Sequence, residues 1–183
     1  EQSELSANDA KALDRMRRAT LDMKTTIEMF LCLARETDDG LYQQQFLVIP
    51  LVEQAVELQR HLLSRNLVEV DIDYAENPSL CGNQQAFSIA VNNLVRNAFE
   101  HSYTGKGPIS IVIKAQELLI TNQLHHDSNQ QQKYGDGLYT PIEASSSHGY
   151  GLGLGIVQRL CERNGWSFVL LTDEQCVVAC LSW

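Results

Sequence analysis

Two stretches of the sequence carry residues whose types and spacing could hold a phosphate group and a metal ion. The first is residues 148–157, HGYGLGLGIV, in which four glycines alternate with other residues ahead of an amphipathic run. A glycine loop that opens a helix presents unpaired N–H groups and the positive end of the helix dipole to an anion. A flexible glycine-rich turn without a ligand is the alternative, because glycine motifs give many false positives.

The better-known phosphate motifs do not fit this loop. A P-loop requires a lysine and then Ser or Thr after its second glycine, and no glycine loop of the chain ends in that way. A dinucleotide fingerprint has the spacing G-x-G-x-x-G directly after a strand, whereas residues 141–148 before this loop are polar and turn-like. Phosphate binding therefore needs support from another part of the chain.

The second stretch is a predicted helix that begins at Asn83 and carries Asn93, Asn97 and His101 at i, i+4 and i+8, on one face. Asparagine is a poor helix former, because its amide competes for backbone groups. Its carbonyl oxygen can ligate Mg²⁺, a cation that prefers oxygen ligands and phosphates. The sequence thus indicates a metal and phosphate site, with a hydrated polar face as the alternative.

Composition limits the classes of function. The formal net charge is −9 over 183 residues, which argues against nonspecific nucleic-acid binding. A hydrophobic content of 44% can fill a normal core, and no apolar run is long enough to predict a membrane span. The five cysteines form no C-x-x-C pair, so we interpret them as buried free thiols in a reducing compartment. Because the first residue is Glu1 and not Met, we expect a piece of a longer chain.

The elements that would position these residues follow from hydrophobic periodicity. Residues 5–36 contain no Gly or Pro, and their apolar positions predict a long helix in a bundle or coiled coil, or else a helix packed on its own domain. Those positions recur with the alternating 3 and 4 spacing of a heptad seam: Leu13, Met16, Thr20, Met23, Ile27, Phe30 and Ala34. After a linker, strands are predicted at 46–49, 68–74, 80–81, 109–115, 118–121, 168–171 and 177–181.

Helices are predicted from Pro50 to about 64, from Asn83 to about 102, and after the glycine loop as far as Gly165. Residues 122–147 are polar and without periodicity, as expected of a functional or disordered loop. This order of elements predicts one mixed sheet with helices on one face.

The two stretches contain the motif N-L-x-x-N-A-x-x-H-S and, further along the chain, the motif G-x-G-L-G-L-x-I-V. Together they resemble the ATP-binding domain of sensor histidine kinases. These kinases belong to the wider ATPase superfamily that includes DNA gyrase, the Hsp90 chaperone and MutL. The resemblance implies an α+β fold of the Bergerat type, a two-layer α/β sandwich, over residues 39–183. Residues 1–38 look like the second helix of the dimerisation and phosphotransfer hairpin.

The resemblance also implies roles for individual residues. Asn97 matches the Mg²⁺ ligand, Asn93 would lie beside the metal and the phosphates, and His101 would lie near the nucleotide. Residues 123–148 would form the lid over ATP. The positions of the phosphate-side loop are Gly149, Gly151, Leu152, Gly153, Leu154 and Gly155.

Two departures from the family pattern concern the nucleotide site. The D-x-G-x-G adenine box is missing, and Asp136 lies too close to Gly149 in the sequence to leave room for a lid. Asn122, at the end of a predicted strand, takes the place of that Asp, since an amide can accept from the adenine amine and donate to the neighbouring ring nitrogen. Many family members have Lys where this chain has Glu100. The missing positive charge would come from Arg96, Lys106 or Lys133.

The third departure is that none of the five histidines lies in the N-terminal helix, so the phosphoacceptor would precede Glu1. The implied function is that of a protein-histidine kinase, with ATP and Mg²⁺, that transfers the γ-phosphoryl group to a histidine outside this chain for relay to a response regulator. The full-length protein would be a homodimer anchored in the inner membrane, with this part cytoplasmic. The alternatives are a scaffold or dimerisation module that has lost nucleotide binding, and an ATP-driven conformational clamp.

Overall fold

A computed structural model describes single positions of an N-terminal helix between residues 9 and 31, and residues 43–62, 68–102, 107–123, 140–141, 152–172 and 175–183. The chain divides into two compact units, Glu1–Asp39 and Gly40–Trp183. Among the described helices, none combines the length and the apolar character that crossing a membrane requires.

The described positions of the first unit are helical, and the apolar seam is exposed at each position for which an exposure is given. Leu13, Met16, Met23 and Ile27 are 51 to 68% exposed. A row of large apolar side chains in contact with water is typical of a helix that pairs with another helix. The bundle or coiled-coil interpretation of this seam stays a prediction.

The second unit consists of eight strands and three helices within the described ranges. The elements, in chain order, are β1 (Gln43–Leu47), α1 (Val48–Leu62), β2 (Val70–Tyr74), β3 (Ser79–Asn83), α2 (Gln84–His101), β4 (Ile109–Lys114), β5 (Glu117–Gln123), β6 (Thr140–Pro141), α3 (Leu152–Asn164), β7 (Ser167–Thr172) and β8 (Cys176–Ser182).

The main sheet has the strand order β2-β4-β5-β8-β7-β6. β2 pairs with β4 in parallel, and the other pairs are antiparallel, so the sheet is mixed as predicted. The prediction of one sheet is incomplete, because β1 and β3 form a separate antiparallel ribbon in which Phe46 lies opposite Leu80.

The core lies between this sheet and the helices on one of its faces. Alternate residues of β4 and β5 are buried there, which is the period of 2 that a half-covered strand requires. α2 packs against β5 and lies beside both α1 and α3. Phe87 of α2 is fully buried and makes edge contacts with the rings of Trp166 and Trp183, 5.5 and 5.6 Å between centroids.

α1 begins at Val48, earlier than the predicted start at Pro50, and β1 ends at Leu47 instead of Ile49. The first N–H groups of a helix have no partner within it. Here they find partners outside α1: Val48 N–H donates to the Pro78 carbonyl at 3.0 Å and Ile49 N–H to Asn77 Oδ1 at 3.4 Å. The sequence-based boundary was wrong because these partners lie far along the chain, directly before β3.

The predicted helix termini of α2 and α3 are confirmed. Asn83 Oδ1 accepts a hydrogen bond from Ala86 N–H at 3.0 Å, which caps α2. Gly165 follows α3 with a φ of 69°, in the left-handed region, and Trp166 N–H donates to the Cys161 carbonyl at 2.9 Å. This 6→1 bond across a left-handed residue is a Schellman motif.

Cys161 and Cys176 are buried thiols outside any disulfide, as predicted. The prediction is wrong for Cys81, which is an exposed free thiol. β3 alternates exposed and buried residues, and Cys81 falls on its exposed side opposite Gln45.

Candidate functional site

α2 carries the two asparagines that the sequence analysis singled out. Asn93 is only 3% exposed, and Asn97 lies one turn later, half-buried. The Asn93 Nδ2 donates to the Ile89 carbonyl at 2.8 Å, on the preceding turn of its own helix. Because this bond fixes the amide nitrogen, the Asn93 Oδ1 has a defined direction.

That oxygen faces the first turn of α3. A Cβ added at Gly153 would lie 3.0 Å from Asn93 Oδ1 and 3.9 Å from Asn97 Oδ1. The backbone of α3 therefore approaches both amide oxygens closely, and the first of these distances is too short for most side chains. The structure brings Asn93, Asn97 and Gly153 together, although Gly153 is distant from both asparagines in the sequence.

The remaining predicted site residues are placed less closely or not at all. His101 is exposed in the last turn of α2. Leu152 is the first residue of α3, Leu154 is half-buried, and Gly155 is exposed with nothing within 4 Å of a Cβ added there. The other predicted positions lie outside the described residues: Gly149, Gly151, Lys106, Lys133, and the lid except Gln123, Thr140 and Pro141.

Glu100, the departure from the family's lysine, is paired on its own helix. The Arg96 Nε lies 3.5 Å from the Glu100 Oε1, and the two side chains are 15% and 27% exposed. This i,i+4 pair partly neutralises a carboxylate that would otherwise repel an anion nearby. Arg96, which carries the positive charge of this pair, directly precedes Asn97 in the sequence.

Asn122, the proposed substitute for the adenine-box Asp, lies at the end of β5. It is 6% exposed and shares the helix-covered face of the sheet with Leu118 and Ile120. Its Nδ2 is buried and has no hydrogen-bond partner in the described part of the chain. A buried donor without a partner costs about 1–3 kcal/mol, so this position suits a ligand that supplies an acceptor.

Thr172 of β7 is a buried polar residue that the sequence analysis did not single out. It is 2% exposed, and its Oγ1 donates to the Cys176 carbonyl at 3.4 Å. This hydrogen bond links β7 to the first residue of β8. No periodicity or motif in the sequence marks it.

The possible metal ligands of α2 beside Gly153 are amide oxygens. They suit a metal ion that binds together with a nucleotide better than a metal ion held by protein side chains alone. Among the described residues, no group of three or more His, Cys, Asp or Glu side chains could hold a metal ion. Mg²⁺ commonly takes one or two protein oxygens and completes its octahedron with substrate phosphates and water. The amide oxygen of Asn97 beside the α3 N-terminus meets this requirement.

Comparison with known proteins decides the family. A model described as "Histidine kinase-, DNA gyrase B-, and HSP90-like ATPase" matches residues 82–179, more than half of the chain. The chain belongs to this ATPase family. Membership implies an ATP-binding domain, and the matched residues include α2, β5 and α3. Among curated proteins, none matches the sequence.

Solved structures of histidine kinases share the fold. The cytoplasmic segment of histidine kinase QseC superposes with a TM-score of 0.62 at 18% identity, over 93% of each chain. The mycobacterial sensor histidine kinase MprB gives 0.54 at 19% identity, over 76% of this chain and 97% of that one. Full-length ShkA in complex with AMPPNP gives 0.57 at 16%, over 98% of this chain and 39% of that one. These matches confirm the predicted fold class.

Proposed function

We propose that this chain is the ATP-binding catalytic domain of a two-component sensor histidine kinase. In this proposal it transfers the γ-phosphoryl group of ATP to a histidine outside the chain, for relay to a response regulator. The observation that supports it most is the approach of the Gly153 backbone to the amide oxygens of Asn93 and Asn97.

The residues of this chain would act by positioning and by charge. ATP supplies the phosphoryl group, and bound Mg²⁺ neutralises its charge. The Asn97 Oδ1 would hold the metal, and the N–H groups at the start of α3 would donate to the phosphate oxygens. Asn93 would keep its oxygen beside the same centre, since its nitrogen is tied to the Ile89 carbonyl. Asn122 would hold the base.

The side chains at the centre favour transfer over hydrolysis. An amide cannot accept a proton as a carboxylate can, so neither Asn93 nor Asn97 can activate a water molecule as a general base. The carboxylate on the same face, Glu100, is paired with Arg96. An acceptor that brings its own nucleophile, such as a histidine ring, does not need a base from this domain.

The partners follow from the same proposal. The exposed seam at Leu13, Met16, Met23 and Ile27 would pair with a second copy of the helix, giving a homodimer. The acceptor histidine would lie on another helix of the full protein, outside this chain, since the N-terminal helix of this chain contains no histidine. We further propose that the full protein is a membrane-anchored sensor whose cytoplasmic part includes this domain.

Calorimetric titration with ATP, with and without Mg²⁺, tests this proposal. We expect metal-dependent binding, and we expect Asn97→Ala to weaken it by about tenfold or more, as loss of an interaction with a charged group does. Asn92→Ala is the matched control, because Asn92 lies on the same helix but is not among the side chains nearest to Gly153, which are those of Asn93 and Asn97. The ATP affinity of the Asn92→Ala variant should stay at the wild-type value.

Two results would contradict the proposal. Absence of nucleotide binding at millimolar concentration would favour the scaffold or dimerisation module. Formation of phosphohistidine on the isolated chain, incubated with γ-labelled ATP, would show that the acceptor does not lie outside it.

A further inference from the structure

The backbone of Asn122 has a fixed position, and its side-chain amide has an unmet hydrogen-bonding capacity. β5 is paired with β4 as far as Thr121 and with β8 to its end, so the backbone at Asn122 is held by its pairing with Val177. Its neighbours on the same face are apolar: Ile120 on β5, and Val177 directly opposite on β8. Neither side chain can accept a hydrogen bond from the buried Nδ2.

An amide and a carboxylate recognise different patterns of hydrogen-bond donors and acceptors. An ionised carboxylate only accepts hydrogen bonds, whereas an Asn side chain donates from its nitrogen and accepts at its oxygen. The last torsion of Asn is broad and roughly two-fold, so a half-turn exchanges the two groups without moving the backbone. The site at the end of β5 can therefore present the donor and the acceptor in either order.

We propose that Asn122 reads the edge of a purine through one donated and one accepted hydrogen bond, and that it consequently holds 6-oxopurine nucleotides as well as adenine nucleotides. The inference rests on the proposed function, because it specifies the base that the same site takes. The structural basis is the buried, unpartnered nitrogen on a rigid strand.

Adenine and the 6-oxopurines have opposite arrangements of hydrogen-bond donor and acceptor on the edge formed by the C6 substituent and N1. Adenine offers an amino donor at C6 beside the N1 acceptor. Hypoxanthine, the base of inosine, offers a carbonyl acceptor at C6 beside an N1–H donor. Each pattern pairs completely with one orientation of the amide, so neither base leaves a buried polar group unpaired. Rejection of an analogue usually depends on such an unpaired group.

Comparative titration with ADP and with inosine diphosphate is the first test. Inosine lacks the 2-amino group of guanine, so the comparison changes the hydrogen-bond pattern without adding bulk. We expect the two dissociation constants to agree within about tenfold, since both pair fully. Binding of inosine diphosphate more than about 100-fold weaker than that of ADP would show a fixed amide and overturn the inference.

Asn122→Asp is the second test, because it removes the donor and keeps the shape. We expect both diphosphates to bind at least about tenfold more weakly, at low and at high salt. Persistence at high salt separates the lost donor from repulsion between the new charge and the phosphates. Unchanged or tighter binding of ADP would mean that only the acceptor is used, which overturns the inference.

Two further variants control for charge and for folding. Gln116→Glu makes the same amide-to-carboxylate change in the exposed turn at the opposite end of β5, and its affinities should equal the wild-type values. Asn122→Leu removes donor and acceptor together and introduces no buried charge. Wild-type affinity in this variant would mean that the amide holds only a water molecule, which overturns the inference. Lack of binding by the wild type to every nucleotide would instead overturn the proposed function, and the inference with it.

Discussion

Replacement of Gly153 by alanine tests the contact on which the site depends. The added Cβ would lie 3.0 Å from Asn93 Oδ1, so one of the two groups must move by a few tenths of an ångström. Asn93 has little room to move, because it is 3% exposed and its Nδ2 is bonded to the Ile89 carbonyl at 2.8 Å. We expect the amide oxygen to be displaced from the position it holds beside α3.

The effects on stability and on binding should differ in size. Alanine within a helix is favoured over glycine by up to about 1 kcal/mol. Disturbing the Asn93 hydrogen bond costs about 1 kcal/mol in the opposite direction. The free energy of unfolding should therefore change by less than about 1 kcal/mol. Nucleotide binding has no such compensation, and we expect ATP affinity to fall by about 10- to 100-fold, as loss of a charge-assisted contact does.

Urea unfolding and calorimetric titration of the same samples measure both quantities. Gly155→Ala is the control for helix propensity: nothing lies within 4 Å of its added Cβ, so we expect a gain of about 0.5–1 kcal/mol in stability. A double-mutant cycle between Gly153→Ala and Asn93→Ala should show that the two losses of affinity are not additive. Wild-type ATP affinity in the Gly153→Ala variant would refute the reasoning.

Four further predictions concern the cap of α2, the pKa of a buried thiol, the reactivity of an exposed and a buried thiol, and the metal. Asn83→Ala should lower the free energy of unfolding by about 1 kcal/mol in urea, because α2 loses its cap; an unchanged midpoint would contradict this. Burial, with a smaller contribution from Glu162, raises the pKa of Cys161 from 9.0 to about 12. The unfolded chain then loses this proton first, so stability should fall from pH 9 towards 12 more steeply in the wild type than in Cys161→Ala, by up to about 1.4 kcal/mol per pH unit. Equal slopes in urea unfolding would contradict that assignment. In the native protein, a thiol reagent should modify exposed Cys81 at once and Cys161 only on unfolding. Chelation of Mg²⁺ by EDTA should weaken ATP binding by about tenfold or more in calorimetry, since the phosphates lose their counter-charge; metal-independent affinity would count against Asn97 as a ligand.

The features that local sequence encodes were predictable. The Asn83 cap, the left-handed Gly165 and the alternation of β4 and β5 each depend on a few neighbouring residues. The i, i+4 spacing of Asn93 and Asn97 likewise placed both on one face of α2. The resemblance to a known family then joined two stretches that are far apart in the chain.

Features that depend on distant partners were not predictable. The start of α1 is set by acceptors at Asn77 and Pro78, and the separate β1–β3 ribbon depends on pairing between strands that α1 and β2 separate in the chain. The glycines of the loop are equivalent in the sequence pattern. In the structure, a Cβ at Gly153 would meet Asn93, whereas a Cβ at Gly155 would have nothing within 4 Å. The unpartnered nitrogen of Asn122 likewise appears only when its neighbours in the sheet are known.

The position of the metal is the central claim, and paramagnetic NMR with Mn²⁺ in place of Mg²⁺ tests it most directly. In the presence of ATP, Mn²⁺ should broaden the side-chain amide signal of Asn97 and the backbone signal of Gly153 first, while the signal of Gln116 stays sharp. A titration without nucleotide corrects for weak binding of the ion to a chain of net charge −9. Sharp signals from Asn97 and Gly153 at a Mn²⁺ concentration that broadens other residues would contradict the account.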